Sequence, residues 1–152
     1  MQKVTPFLWF DNQAEEAAKF YCSVFKNSKI ESTSRYGEGM PQPAGTVMSV
    51  TFVLDGQRFL ALNGGPHFKF TPAISLFVSC DDQKEIDDLW AKLSADPASE
   101  QCGWLKDRYG LSWQIVPRLL NELMHNGAAM RELMTMKKLD IARLQQAALS
   151  AA

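Results

Sequence analysis

Side chains able to do acid–base, nucleophilic or metal chemistry are few and scattered in this chain. The only two histidines are His67 and His125. His67 follows Gly64-Gly65-Pro66 in a connecting segment, where an imidazole can act as an acid/base or as a lid contact, or stand as an ordinary loop histidine. His125 lies in a helical C-terminal stretch and reads as solvated. Cys22, Cys80 and Cys102 form no CxxC pair and give no zinc or thioredoxin signature. They read as free thiols packed as small hydrophobes. Glu15-Glu16 opens a helix, where negative charge suits the helix dipole. Asp81-Asp82 reads as a second helix cap, and Lys106-Asp107-Arg108 as a turn with a local ion pair or an anion contact. No GxSxG nucleophile elbow occurs. Gly37-Glu38-Gly39 lacks the third glycine of a dinucleotide-binding turn.

The elements that must position these groups follow from hydrophobic period. Val4 to Phe10 has the β-branched and aromatic content of a strand. Asp11-Asn12 offers a cap, and Ala14, Ala17, Ala18, Tyr21, Cys22 and Phe25 have the spacing of an amphipathic helix over 13–25. Strands are expected over 29–36, 46–54 and 58–63, with a loop at 37–45 and an Asp55-Gly56 hairpin turn. The order then repeats. A strand at 73–80 and a helix at 85–93 precede short strands at 99–101, 103–106 and 111–116. Residues 118–152 read as helical, bent or broken at Gly127.

The chain has 152 residues, 46% hydrophobic and 22% charged, with 16 Lys plus Arg against 17 Asp plus Glu. This length favours one domain over 1–152, made of units at 1–66 and 72–117 and a helical extension at 118–152. A net charge of -1 carries no electrostatic footprint for nucleic acid or an anionic membrane. No apolar run approaches the roughly 20 residues that span a bilayer. The first residues lack the apolar core of a signal peptide. The expectation is a cytoplasmic protein with neither a nucleic-acid nor a membrane partner.

Several stretches together resemble PhnB-like proteins of the glyoxalase/bleomycin-resistance/dioxygenase (vicinal oxygen chelate) superfamily, a group that often carries the label 3-demethylubiquinone-9 3-methyltransferase-like. They are Trp9 to Ala17 with Phe20-Tyr21, Gly56 to Pro66, Cys102 to Pro117, and Met134 to Asp140. The resemblance covers nearly the whole chain. It implies an α+β fold in which two βαβββ units form a curved, mostly antiparallel sheet with outer helices, followed by C-terminal helices. It also implies a homodimer and a concave cavity. Enzymes of the superfamily hold a divalent metal there on His and Glu side chains, whereas other members bind a small molecule without metal.

The superfamily's ligand positions map onto Thr5, Ala61, Ser75 and Gln114. None supplies a charge or an imidazole, so no metal and no cofactor are expected. A one-residue shift does not help, because Val4, Pro6, Leu60, Leu62, Ile74, Leu76, Trp113 and Ile115 cannot ligate through their side chains. Alternation along the strands places Phe7, Trp9, Phe59 and Phe77 as the aromatic lining of a cavity, or as plain core. Ala61 shares that lining, and Asn63, Ser75 and Gln114 are its few polar anchors. The leading expectation is a metal-free binding protein for an apolar or aromatic small molecule. The other is an enzyme of the superfamily's type with an atypical or absent metal site, using His67 as acid/base. Methyl transfer is not expected, since the strand runs argue against a parallel nucleotide-binding sheet.

Overall fold

The computed structural model describes residues 2–150. It divides into two compact units, one ending at Lys69 and one beginning at Phe70. The first contains β1 (Phe7–Phe10), α1 (Ala14–Val24), β2 (Lys29–Arg35), β3 (Val47–Leu54) and β4 (Gln57–Asn63). Its sheet has the order β1-β4-β3-β2. β1 runs parallel to β4, and the other pairs are antiparallel. The β3–β4 hairpin turns through Asp55 (φ 46°) and Gly56 (φ 83°). Two consecutive positive φ values give the turn whose twist matches the strands it joins.

One face of this sheet meets α1. Leu8, Phe10, Val50, Phe52, Phe59 and Ala61 are buried with Ala14, Ala17, Ala18 and Tyr21. Phe52 stacks between Phe59 (ring centroids 5.4 Å apart) and Tyr21 (6.3 Å). The alanines let the helix approach the sheet closely, and the aromatic rings fill the space beyond them.

The second unit contains β5 (Ser75–Cys80), α2 (Gln83–Leu93), a 3₁₀ turn (Pro97–Ser99), β6 (Trp104–Lys106) and β7 (Ser112–Pro117). Its sheet has the order β5-β7-β6, parallel then antiparallel. The strand expected at 99–101 is reduced to a single bridge, Gln101 to Trp104. The cause is local. Asp96 caps the turn opened by Pro97, and the Glu100 carboxylate accepts from Trp90 Nε1 (2.6 Å) and Ser94 Oγ (2.8 Å). These bonds fold the segment against α2 instead of extending it. Asp82 caps α2 as expected, accepting from Glu85 N at 2.9 Å.

Three helices follow: α3 (Leu120–Leu123), α4 (Gly127–Met134) and α5 (Ile141–Ser150). Gly127 starts α4, and Asn126 caps it by accepting from Ala128 N and Ala129 N, each at 3.0 Å. Leu123, Ala129, Leu133, Met136, Leu139 and Leu144 close over Val116 in a second core. The stretch between α4 and α5 is tied down by its backbone. Met136 O and Lys137 O accept from Cys102 N and Gly103 N at 2.8 Å each. The Gln83 amide donates to Leu139 O (3.0 Å) and accepts from Ile141 N (2.8 Å). Among the described residues no helix is long and apolar enough to cross a membrane.

Candidate functional site

In the first unit the register decides which side chains share a face. Phe7 lies beside Leu60 and Trp9 beside Leu62. Directly paired residues point the same way, so Phe7, Trp9, Leu60 and Leu62 share the face away from α1. Phe59 and Ala61 therefore point the other way, into the α1 core, 5% and 0% exposed. The expectation that they line a cavity with Phe7 and Trp9 is corrected here. Both alternating sets of β4 are apolar, so pattern alone could not phase it.

Asn63 also lies on the α1 side, where it holds the unit together. Its Oδ1 accepts from Ala14 N at 2.8 Å and its Nδ2 donates to Val47 O at 3.1 Å. Its own carbonyl accepts from Tyr36 Oη at 2.5 Å. Neither Asp11 nor Asn12 caps α1. The residue at the cap position, Gln13, makes no side-chain cap, and Asn63 supplies the missing acceptor from a strand 49 residues on. Nearby, a cleft of about 580 Å³ opens among Asp11, Glu15, Arg35, Tyr36, Gln42 and Thr46. The Arg35 guanidinium there is bonded to Gly45 O (3.0 Å) and Tyr36 Oη to Asn63 O.

On the open face, Phe7 is 54% and Phe68 65% exposed. Trp9 is half-buried and fixed. Its Nε1 donates to Gly65 O at 2.9 Å, and its ring meets that of Phe68 at 85° with centroids 5.0 Å apart. A Cβ on Gly64 would lie 2.4 Å from Trp9 Cζ2. Only glycine is compatible with this packing. The same segment carries His67, which is exposed. Its ring lies beside Gly65, and among the described residues it makes no hydrogen bond or ion pair that would orient or polarise it.

In the second unit Ser75 pairs with Ser112 and Phe77 with Gln114, while Trp104 flanks Gln114 from the other side. Ser75, Phe77 and Gln114 thus share a face, as the alternation predicts. Gln114 Nε2 donates to Ser75 Oγ at 3.0 Å. Phe77 is 59% exposed. Val116, next on this face, is buried under the C-terminal helices.

Asp107 is a buried acceptor at its turn. It is 3% exposed. Its Oδ1 accepts from Tyr109 N (2.8 Å) and Leu111 N (3.1 Å), and its Oδ2 from Trp113 Nε1 (2.8 Å). A buried carboxylate is tolerated when its lone pairs meet donors in this way. The Asp-x-x-Gly spacing to Gly110 signals the turn, but nothing local points to Trp113. Cys80 is fully buried, and burial, reinforced by the Glu85 carboxylate, pushes its thiol up to about 12. It is not a nucleophile.

The superfamily's metal can be tested against these residues. Thr5 is a half-buried neutral hydroxyl, and Ala61 has no donor and faces α1. Ser75 and Gln114 are neutral and bonded to each other. A divalent ion needs anionic oxygens or imidazole nitrogens to replace its hydration. These residues do not fit one. Among the described residues no group of three or more His, Cys, Asp or Glu is placed to hold an ion.

Comparison with known proteins gives the family. The family model described as 3-demethylubiquinone-9 3-methyltransferase matches residues 2–116. No curated protein matches the chain. Among solved structures it is similar to the PhnB protein from Bacillus cereus, with 44% identity over 76% of this chain and 99% of that one, and a TM-score of 0.66. A protein from Staphylococcus aureus is 33% identical over 76% of this chain and 95% of that one, with a TM-score of 0.36. A protein from Pseudomonas aeruginosa shares the fold at 20% identity, with a TM-score of 0.57 over 76% of this chain and 96% of that one. The chain therefore belongs to the family described as 3-demethylubiquinone-9 3-methyltransferase and is a PhnB-like protein.

Proposed function

We propose that this protein binds a small apolar or aromatic molecule without a metal ion. The observation that carries the reading is Trp9. Its indole is fixed by a hydrogen bond and by glycine packing, and it lies on the side of its sheet away from α1, with exposed Phe7 and Phe68 beside it. Exposed rings held in one geometry suit a ligand, because the ordering cost of binding is then already met. The second unit has a comparable face of its own, with exposed Phe77 beside the Gln114–Ser75 pair. Sparse polar anchors among apolar walls are the usual chemistry of a small-molecule site.

Metal-dependent catalysis is disfavoured by the donor set rather than by any absence of an ion. Among the described residues His67 has no hydrogen-bond or ion-pair partner that would position it for proton transfer. Methyl transfer finds no support in mixed sheets without a glycine-rich strand-to-helix turn. The proposed setting is a cytoplasmic homodimer, as composition and family resemblance imply, and sedimentation would check the assembly.

The deciding experiment is thermal melting of the purified protein, its metal content measured, with divalent ions and, separately, with a panel of small aromatic compounds. A ligand that binds only the folded state raises the melting temperature. The expected result is stabilisation by at least one aromatic compound and by none of Mn, Fe, Ni or Zn. About one metal per chain, with stabilisation by that metal, would overturn the reading.

A further inference from the structure

The rings of Trp9 and Phe68 stand at 85° with centroids 5.0 Å apart, and so form the two walls of a corner. Every feature of one wall is fixed. Gly64 N and Gly65 N donate to Phe10 O (2.9 Å) and Asp11 O (3.2 Å), continuing the strand pairing past Asn63. Gly65 holds φ at 94°, open to glycine, and turns its carbonyl to Trp9 Nε1. Gly64 leaves no room for a Cβ beneath the indole. Phe7 continues the apolar surface two residues earlier on the same face of β1.

We infer that this corner takes a flat, neutral aromatic ring, lying face-on to one wall and edge-on to the other. The inference rests on the small-molecule reading above and names the ligand class. Two observations select the occupant. The cation that β4 itself places on this face, Arg58, is already held by Glu31 through a two-pronged bond (2.7 and 3.2 Å), so its charge is met within the protein. The exposed parts of Phe7 and Phe68 amount to roughly 200–300 Å², an apolar surface of the scale that a small planar molecule covers. Perpendicular walls also discriminate by shape. A planar ring contacts both at van der Waals distance, whereas a puckered ring of the same size contacts one and is held off the other.

The test is a titration of the full chain with 2-naphthol and, separately, with its saturated analogue decahydro-2-naphthol. The readout is the four indole N–H resonances, with the Trp9 signal assigned by Trp9→Phe and overall binding measured by calorimetry. Naphthol is expected to shift the Trp9 signal saturably, and the saturated analogue to bind at least tenfold more weakly. Gly64→Ala is expected to weaken naphthol at least tenfold. Should that variant fail to fold, Phe68→Ala, at an exposed position, is expected to weaken it at least fivefold while leaving the other indole signals in place. Equal affinity for the two alcohols would overturn the inference. So would naphthol binding that leaves the Trp9 signal unmoved, although the small-molecule reading would then survive. A Trp9 signal that instead depends on protein concentration would overturn it too, by showing a second copy covering the corner. No binding of any aromatic compound would remove both readings.

Discussion

Gln114 donates to Ser75 across the parallel β5–β7 pair at 3.0 Å, although the strand register sets Gln114 beside Phe77 and Ser75 beside Ser112. The two polar groups on this face thus satisfy each other while Phe77 beside them stays exposed. Gln114→Leu removes the donor and leaves Ser75 to water. The expected loss is about 1 kcal/mol, a fall in melting temperature of a few degrees. Any ligand that engages this face would weaken at the same time. A melting temperature higher than wild type would show that the pair is a cost kept for binding.

Asn63→Ala should cost more than its half-buried position suggests. Ala14 N loses its acceptor and Val47 O its donor. The expected destabilisation is about 1–3 kcal/mol, read from urea unfolding. Asn63→Asp keeps the acceptor, adds favourable charge at the α1 N-terminus, and should recover part of that loss. Equal losses in the two variants would mean the cap contributes little.

Asp107→Ala removes the acceptor that three donors share, the amides of Tyr109 and Leu111 and the indole of Trp113. A loss of about 3 kcal/mol is expected. Asp107→Asn should recover little, because an amide can present only one acceptor oxygen and aims a donor at the remaining N–H. Calorimetric melting of both variants would check this, and an Asp107→Asn variant as stable as wild type would contradict it.

Thiol labelling separates the cysteines. Cys80 should resist iodoacetamide in the native protein at a mildly alkaline pH and react only on unfolding, whereas the half-buried Cys22 and Cys102 react sooner. The sign of the pH effect follows from the raised value. A thiol favoured in the folded state contributes stability that is fully present below its unfolded pKa of 9.0 and is lost as pH rises toward about 12. Cys80→Ser should flatten the alkaline limb of the stability curve between those values. At the acid end, the bond to Arg58 holds the Glu31 carboxyl below the ordinary carboxylate range. That contribution is present above the unfolded value and is lost as pH falls through the folded one. NMR titration of Arg58→Gln should return Glu31 to an ordinary value.

The element order is legible because hydrophobic period is local. The α1 and α2 faces, the Asp55-Gly56 hairpin and the Asp82 cap each follow from a few neighbouring residues. The shared face of Ser75 and Gln114 follows from clean alternation on β5 and β7. What stays hidden is non-local. Phe59 and Ala61 cannot be phased from pattern because β4 is apolar on both sides, and only its register against Phe7 and Trp9 settles which side faces α1. Asn63 as the cap of α1 and Trp113 as the donor to Asp107 depend on contacts made by folding. The lost strand at 99–101 reflects Glu100 finding Trp90 and Ser94, a competition that alternation does not encode.

The backbone ties from Met136 and Lys137 to Cys102 and Gly103 separate two notions of a boundary. The stretch by which the family is recognised ends at residue 116, but the cooperative folding unit does not. A chain cut after Pro117 would bare Val116 and leave the Cys102 and Gly103 amides beside β6 unpaired, open to strand addition by another molecule. Shortening to the shared segment is therefore expected to promote aggregation, and the last helices belong in any minimal version of it.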